Sequence, residues 1–129
     1  MREAIAVVAD ASAVIGQFMP SGAALPVEFE LHVPTIIDYE VVAAIRRSHR
    51  LGLLDAVQAE DAIDTWNLLQ LTRHDAMHLT SRMWALRENF TAYDAAYVAL
   101  AEALDLPLVT SDLPLARAAE AYCPVIVPA

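Results

Sequence analysis

Residues 91–112 read TAYDAAYVALAEALDLPLVTSD, and this stretch decides the fold class. Thr91 stands where an N-cap belongs, and the residues after it run without glycine or proline, so they predict a helix over Ala92–Leu104. Residues 107–110 form a short apolar run opened by Pro107 and predict a strand. From Asp94 the helix descends about ten residues at ~1.5 Å each, roughly 15 Å. The strand climbs back about four residues at ~3.3 Å each, roughly 13 Å. Asp94 and Asp112 therefore return to one level, at the carboxyl edge of a sheet, where open parallel sheets bind their ligands.

The same alternation runs outward in both directions. Ile5–Ala9 is a continuous apolar run ending at Asp10 and predicts a buried strand. Residues 12–19 predict a short helix stopped by Pro20, Ser21 and Gly22, and residues 31–33 a second strand ending at Pro34. Thr35 takes the place of an N-cap, with Asp38 three residues on as its capping-box acid, for a helix running to about Arg50 before Gly52. A helix over Ala56–Leu68, a strand over 70–73 and a helix from about 75 to 88 come next. A last helix over 113–121 and a closing strand over 124–127 complete the chain. Short strands separated by helices mean βαβ units, hence an α/β fold with a mostly parallel sheet covered on both faces. No repeat, low-complexity tract or linker interrupts it, so residues 1–129 are expected to form one domain.

Composition narrows the function. The chain has 129 residues, 57% of them hydrophobic, and a formal net charge of −9. The apolar fraction excludes a disordered acidic tail, and the acidity excludes a generic basic nucleic-acid binder. All eight basic residues are arginine, which removes every mechanism that needs a catalytic or phosphate-binding lysine. Cys123 is the only cysteine, so neither an intrachain disulfide nor a cysteine-based zinc site is possible. No stretch approaches the ~18 apolar residues of a membrane span. The first apolar run, behind Arg2 and Glu3, is broken by Asp10 and makes a poor signal peptide. The expected location is the cytoplasm.

Four acids converge on the edge defined above. Asp10 follows the first strand, Glu40 lies in the second turn of the helix after the second strand, and Asp94 and Asp112 close the set. Glu40 shares a helical face with Ile36, Ile37, Ala43 and Ala44, and Asp94 with Tyr97, Val98 and Ala101. A carboxylate on an apolar face needs a partner, because burying an uncompensated charge is expensive. A divalent ion neutralises several carboxylates at once, and hard oxygen donors select Mg²⁺ or Mn²⁺. Singly, each acid has a plainer use. Thr91 and Asp94 have the form of a capping box, and Asp112 and Asp10 each stand where an N-cap is needed. Jointly, the convergence favours a metal site.

These residues resemble the PIN-domain ribonucleases, specifically the VapC-type toxins of bacterial toxin–antitoxin pairs. The resemblance is carried by VVADAS at residues 7–12, PTIIDYEVVAAIRR at 34–47, NFTAYDAAYVALA at 89–101 and LVTSD at 108–112, in that order and spacing. It implies a three-layer α/β/α sandwich whose acidic cluster, Asp10, Glu40, Asp94 and Asp112, holds one or two Mg²⁺ or Mn²⁺ ions and cleaves RNA. It also implies a homodimer, and a small VapB-like DNA-binding antitoxin that blocks the site. The region between Ser12 and Val33 is shorter than such toxins often have. Ser12 and Thr110 are candidate hydroxyls for orienting the carboxylates or water, with helix capping or strand-end turn chemistry as their other use.

Arg46, Arg47 and Arg50 share one stretch of helix and are candidates to grip RNA phosphates, with a solvated face as the plainer alternative. Arg87 is close in sequence to Asp94 and is a further candidate, against a simple pair with Glu88. His74 and His78 have zinc-compatible spacing but no third ligand nearby. Trp66, Trp84 and Tyr97 fall at helical apolar positions and are expected in the core. Receiver domains and aspartate-nucleophile phosphatases also place acids at a sheet edge, but they rely on a lysine that this chain lacks. The remaining alternative is a catalytically silent protein-binding module, whose apolar surplus would serve as an interaction surface.

Overall fold

Among the described residues, five short strands form one all-parallel sheet in the order β3-β2-β1-β4-β5. They are β1 (Ile5–Ala9), β2 (Phe29–Pro34), β3 (Leu71–His74), β4 (Leu108–Val109) and β5 (Val125–Ile126). The helices are α1 (Ala11–Ile15), α2 (Ile37–Arg50), α3 (Ala56–Leu68), α4 (Thr80–Ala85), α5 (Ala92–Leu104) and α6 (Leu113–Ala119). The computed structural model describes residues 3–19 and 22–128. Helices on the sheet give the expected three-layer α/β/α arrangement. No helix among the described residues is long and apolar enough to cross a membrane.

The order of strands matters more than their number. The chain builds β1, β2 and β3 outward in one direction, then crosses back to lay β4 and β5 on the other side of β1. The reversal lies between β1 and β4, and the crevice beyond their carboxyl ends is the place where such sheets hold ligands. Val7, Val8 and Ala9 of β1 are fully buried, as a strand covered on both faces requires. In α5 every residue from Ala95 to Ala101 is buried, and its small alanines let the helix lie close against β1, β2 and β4. Gly52 at φ 78° turns the chain out of α2, a conformation that favours glycine.

Several expectations are corrected. The first helix is shorter than 12–19, passing after Ile15 into a 3₁₀ turn over Gly16–Phe18. The stop expected at Pro20 and Ser21 lies outside the described residues. Thr35 does not cap α2, because its N–H continues the β2–β3 pairing by donating to the His74 carbonyl at 3.0 Å. The helix starts later, after Ile36, so Glu40 falls in its first turn rather than its second. Nor is Asp38 a capping acid. Its carboxylate accepts from Arg73 Nε and Nη2, both at 2.8 Å, and from Trp66 Nε1 at 3.0 Å.

The helix expected over 75–88 is limited to Thr80–Ala85. Asp75 accepts the Met77 N–H at 2.9 Å in a local turn, and i→i−3 bonds at Leu79, Arg87 and Asn89 replace helical ones. Trp84 consequently points outward at 68% exposure, whereas Trp66 and Tyr97 are core residues as expected.

His74 pairs not with His78 but with His32 on the neighbouring strand, ring nitrogen to ring nitrogen at 2.9 Å. One of the two rings must accept that bond, so at least one must be neutral there. Burial, reinforced by the His32 ring, holds His74 below its ordinary value of 6.5. A depressed pKa means the unfolded chain binds the proton more tightly, so this stabilisation is present above about pH 6.5 and lost as pH falls below it. The urea midpoint should therefore drop between about pH 7.5 and pH 5.5 by more in the wild type than in His74→Gln. Equal drops would show that the pair plays no part.

Candidate active site

Asp10 is built into the crevice by three protein donors. At the end of β1 its Oδ1 caps α1 by accepting the Ala13 N–H at 3.0 Å, and it also accepts from Ser12 Oγ at 2.7 Å. Its Oδ2 accepts from Thr110 Oγ1 at 2.6 Å, across the β1–β4 boundary. Each hydroxyl has one proton, and both protons are directed at Asp10. Their own oxygens then accept backbone N–H groups, Ser12 Oγ from Ser111 at 3.0 Å and Thr110 Oγ1 from Asp112 at 3.1 Å. The two hydroxyls thus fix the Asp10 carboxylate and the loop carrying Asp112 together. The same two hydroxyls orient the Asp10 carboxylate and make the turn at the end of β4.

Glu40, on the first turn of α2, accepts the Tyr97 hydroxyl at 2.6 Å from α5. Asp94, in the first turn of α5, donates its N–H to Thr91 Oγ1 at 3.1 Å. The reciprocal half of a capping box is absent: no donor among the described residues bonds the Asp94 carboxylate. Asp112 caps α6 by accepting the Leu115 N–H at 3.1 Å. Asp10 and Asp112 are therefore caps as well as members of the acidic edge. Capping and convergence are compatible because strand ends and helix starts share that edge.

Burial and repulsion between neighbouring acids act on these carboxylates together. Asp10 is 5% exposed, and burial raises its pKa against its three hydrogen bonds, with repulsion from Asp112 adding to the rise. Burial raises half-buried Glu40 despite the Tyr97 bond, and Asp10 and Asp94 push it further. Asp94 is raised by burial, then by Asp112 and Asp10. Burial and its bond to Glu40 in turn hold the Tyr97 phenol protonated, far above the ordinary tyrosine range. Among the described residues no cationic side chain figures among the influences on these three carboxylates.

Hard oxygen donors without a neutralising side chain fit Mg²⁺ or Mn²⁺. Among the described residues no three His, Cys, Asp or Glu side chains are gathered tightly enough to enclose an ion.

The arginine candidates lie elsewhere. Arg46, Arg47 and Arg50 are exposed on the last turns of α2, some six to ten residues beyond Glu40, or about 9–15 Å along the axis. Arg87 is held at the end of α4, stacked 4.3 Å from the Trp84 ring centroid, donating to the Trp84 carbonyl at 3.0 Å and 3.7 Å from Glu88. Sequence reasoning missed Tyr97 as a site residue. The available signal was its place one turn after Asp94, since a buried phenol needs a hydrogen-bond partner.

Comparison with known proteins places this geometry in context. The family model "PIN domain" matches residues 7–121. Ribonuclease VapC9 of Mycobacterium tuberculosis H37Rv is 42% identical over 123 residues, covering 94% of this chain and 97% of the relative. Ribonuclease VapC1 of the same organism is 38% identical over 125 residues, covering 92% and 94%. Among solved structures, PAE2754 from Pyrobaculum aerophilum superposes with a TM-score of 0.65 at 21% identity, covering 96% of this chain and 91% of that one. VapBC2 from Rickettsia felis, solved bound to a DNA fragment from their promoter, gives 0.68 at 13% identity, covering 97% and 100%. These two share the fold.

Proposed function

We propose that this chain, which belongs to the PIN-domain family as a VapC-type member, is the endoribonuclease toxin of a toxin–antitoxin pair and cuts RNA through its acidic cluster with Mg²⁺ or Mn²⁺. The observation that carries this reading is the set of mutually repelling carboxylates on which no cationic side chain among the described residues acts. Such a cluster is destabilising unless it is neutralised in use. When bound, a divalent ion supplies a Lewis acid that eases deprotonation of water and offsets charge gathering on the scissile phosphate.

Asp10, Glu40, Asp94 and Asp112 would hold the ion, directly or through its waters. Ser12 and Thr110 keep the Asp10 carboxylate in one rotamer, and the Tyr97 hydroxyl does the same for Glu40. Asp94, with no donor among the described residues, is the carboxylate free to turn toward a water or the substrate. Arg46, Arg47 and Arg50 supply positive charge for the RNA backbone away from the cut. The natural partner is a small VapB-like DNA-binding antitoxin, the active form a homodimer, and the place of action the cytoplasm.

Thermal melting with and without Mn²⁺, beside cleavage of a mixed RNA pool, tests the reading. Saturating Mn²⁺ should raise the melting temperature by on the order of 5 °C or more, and cleavage should require the metal. No shift and no cleavage would leave the catalytically silent binding module as the better account.

A further inference from the structure

α2 carries Glu40 near its start and Arg46, Arg47 and Arg50 near its end, and the helical repeat decides which arginine shares the acid's face. Arg47 follows Glu40 by seven residues, within about 20° of two full turns. Arg46 stands about 120° around the helix from Glu40, and Arg50 about 80°. Arg46 lines the groove between α2 and α3 together with Glu60 and Asp64, so acids of this chain already face it. Between Glu40 and Arg47 the shared face carries only Ala43 and Ala44, which put neither bulk nor charge in the way. Arg47 is exposed and makes no ion pair among the described residues, whereas Arg73, Arg82 and Arg87 are each paired with a carboxylate. In a chain of net charge −9, such an arginine is available to an anion from outside.

We propose that Arg47 grips one backbone phosphate of the RNA, two or three nucleotides to one side of the bond presented to the acids. The proposal rests on the ribonuclease reading above. Seven residues of helix rise about 10 Å, and a stacked strand advances roughly 3.4 Å per nucleotide. The spacing of acid and arginine therefore matches a few nucleotides laid along the exposed face of α2. Long helical side chains lean toward the helix N-terminus, which shortens the span and makes three nucleotides its upper bound. Arginine suits the task because its planar fork meets a phosphate through two parallel hydrogen bonds. The lane joins a cluster of carboxylates at one end to an unpaired cation at the other. A polymer of repeating phosphates, with one phosphate at the acids and another at Arg47, has the length and charge to bridge it.

Arg47→Gln should raise KM for a single-stranded RNA roughly ten-fold at low salt, with kcat within a few-fold of wild type. The slope of log KM against log salt concentration should flatten by about 0.7, the share of one phosphate contact on a single strand. Arg47→Lys keeps the charge and should restore most of that slope. Arg117→Gln removes the same charge from an exposed position on α6 and should leave KM and slope at their wild-type values. Arg46→Gln should flatten the slope less than Arg47→Gln does. Shortening the substrate one nucleotide at a time, from each end in turn, reads the register. At one end, removing the second or third nucleotide from the cut should raise the wild-type KM about as much as Arg47→Gln, and add little in that variant. Arg47 is exposed, so far-UV circular dichroism and melting of its variants should match wild type.

Wild type that cleaves while Arg47→Gln keeps its KM and salt slope would overturn the contact alone. So would equal losses in Arg47→Gln and in Arg46→Gln or Arg117→Gln, since net charge would then explain them without a shared face. A wild type indifferent to those nucleotides at both ends would overturn it too. Wild type that cleaves no RNA with any divalent ion would overturn the underlying reading, and the contact with it.

Discussion

Asp94→Asn should lower metal-dependent RNA cleavage by roughly 10²–10³-fold while raising the melting temperature. The two effects have one cause. The Asp94 carboxylate is half-buried, receives no hydrogen bond from the described residues, and is repelled by Asp112 and Asp10. The folded protein therefore holds a charge there that it would be more stable without. The amide is isosteric, and the bond that starts α5 comes from the Asp94 backbone N–H to Thr91, which the substitution leaves intact. Cleavage falls because a neutral amide neither attracts a divalent ion nor offsets charge as a carboxylate does. Asp10→Asn separates the site from the scaffold: it should lose activity similarly but gain no stability. The Asp10 carboxylate accepts from Ser12, Ala13 and Thr110, and one of those acceptor atoms becomes a donor. Full activity in Asp94→Asn, or a lower melting temperature, would refute the assignment of this residue.

Trp66→Ala should cost about 3–5 kcal/mol in urea unfolding, among the largest single-residue effects available in this chain. The indole is 3% exposed within the main core, so truncation leaves a cavity that packed neighbours cannot fill. Its Nε1–H also donates to Asp38 at 3.0 Å, linking α3 to α2, while Arg73 from β3 grips the same carboxylate and lies 5.7 Å from the ring centroid. Trp66→Phe retains most of the buried area and loses the donor, so it should cost distinctly less. The Asp38–Arg73 ion pair is roughly 40% exposed on both sides and contributes at most about 1 kcal/mol by itself. A loss below about 1 kcal/mol for Trp66→Ala would mean that the α2–α3 contact does not hold the fold.

Much of the architecture was legible because its causes are short-range. The helix Ala92–Leu104 has its cap, its composition and its ending within fifteen residues, and it forms as expected. The same holds for Ala56–Leu68, where Asp55 and Gln58 complete a capping box. The helix over 75–88 was misread because Asp75 competes for a backbone N–H that a helix would have used, and apolar spacing does not register that competition. Trp84 was misplaced with it: an outward-facing aromatic and a core aromatic have the same hydropathy.

The sequence by itself determined the strand–helix alternation, the class of fold and the set of four acids at strand ends and helix starts. Rise per residue and local apolar runs are enough to set levels along the sheet. Only the tertiary structure decided which groups meet. Thr110 reaches Asp10 over 100 positions, Tyr97 reaches Glu40 over 57, and Asp38 leaves its own helix start for Trp66 and Arg73, 28 and 35 positions away. Helical period tells which face a residue occupies, but what that face meets depends on strand order. Here the reversal beside β1 brings the first and fourth strands together, and with them Asp10, Thr110 and Asp112.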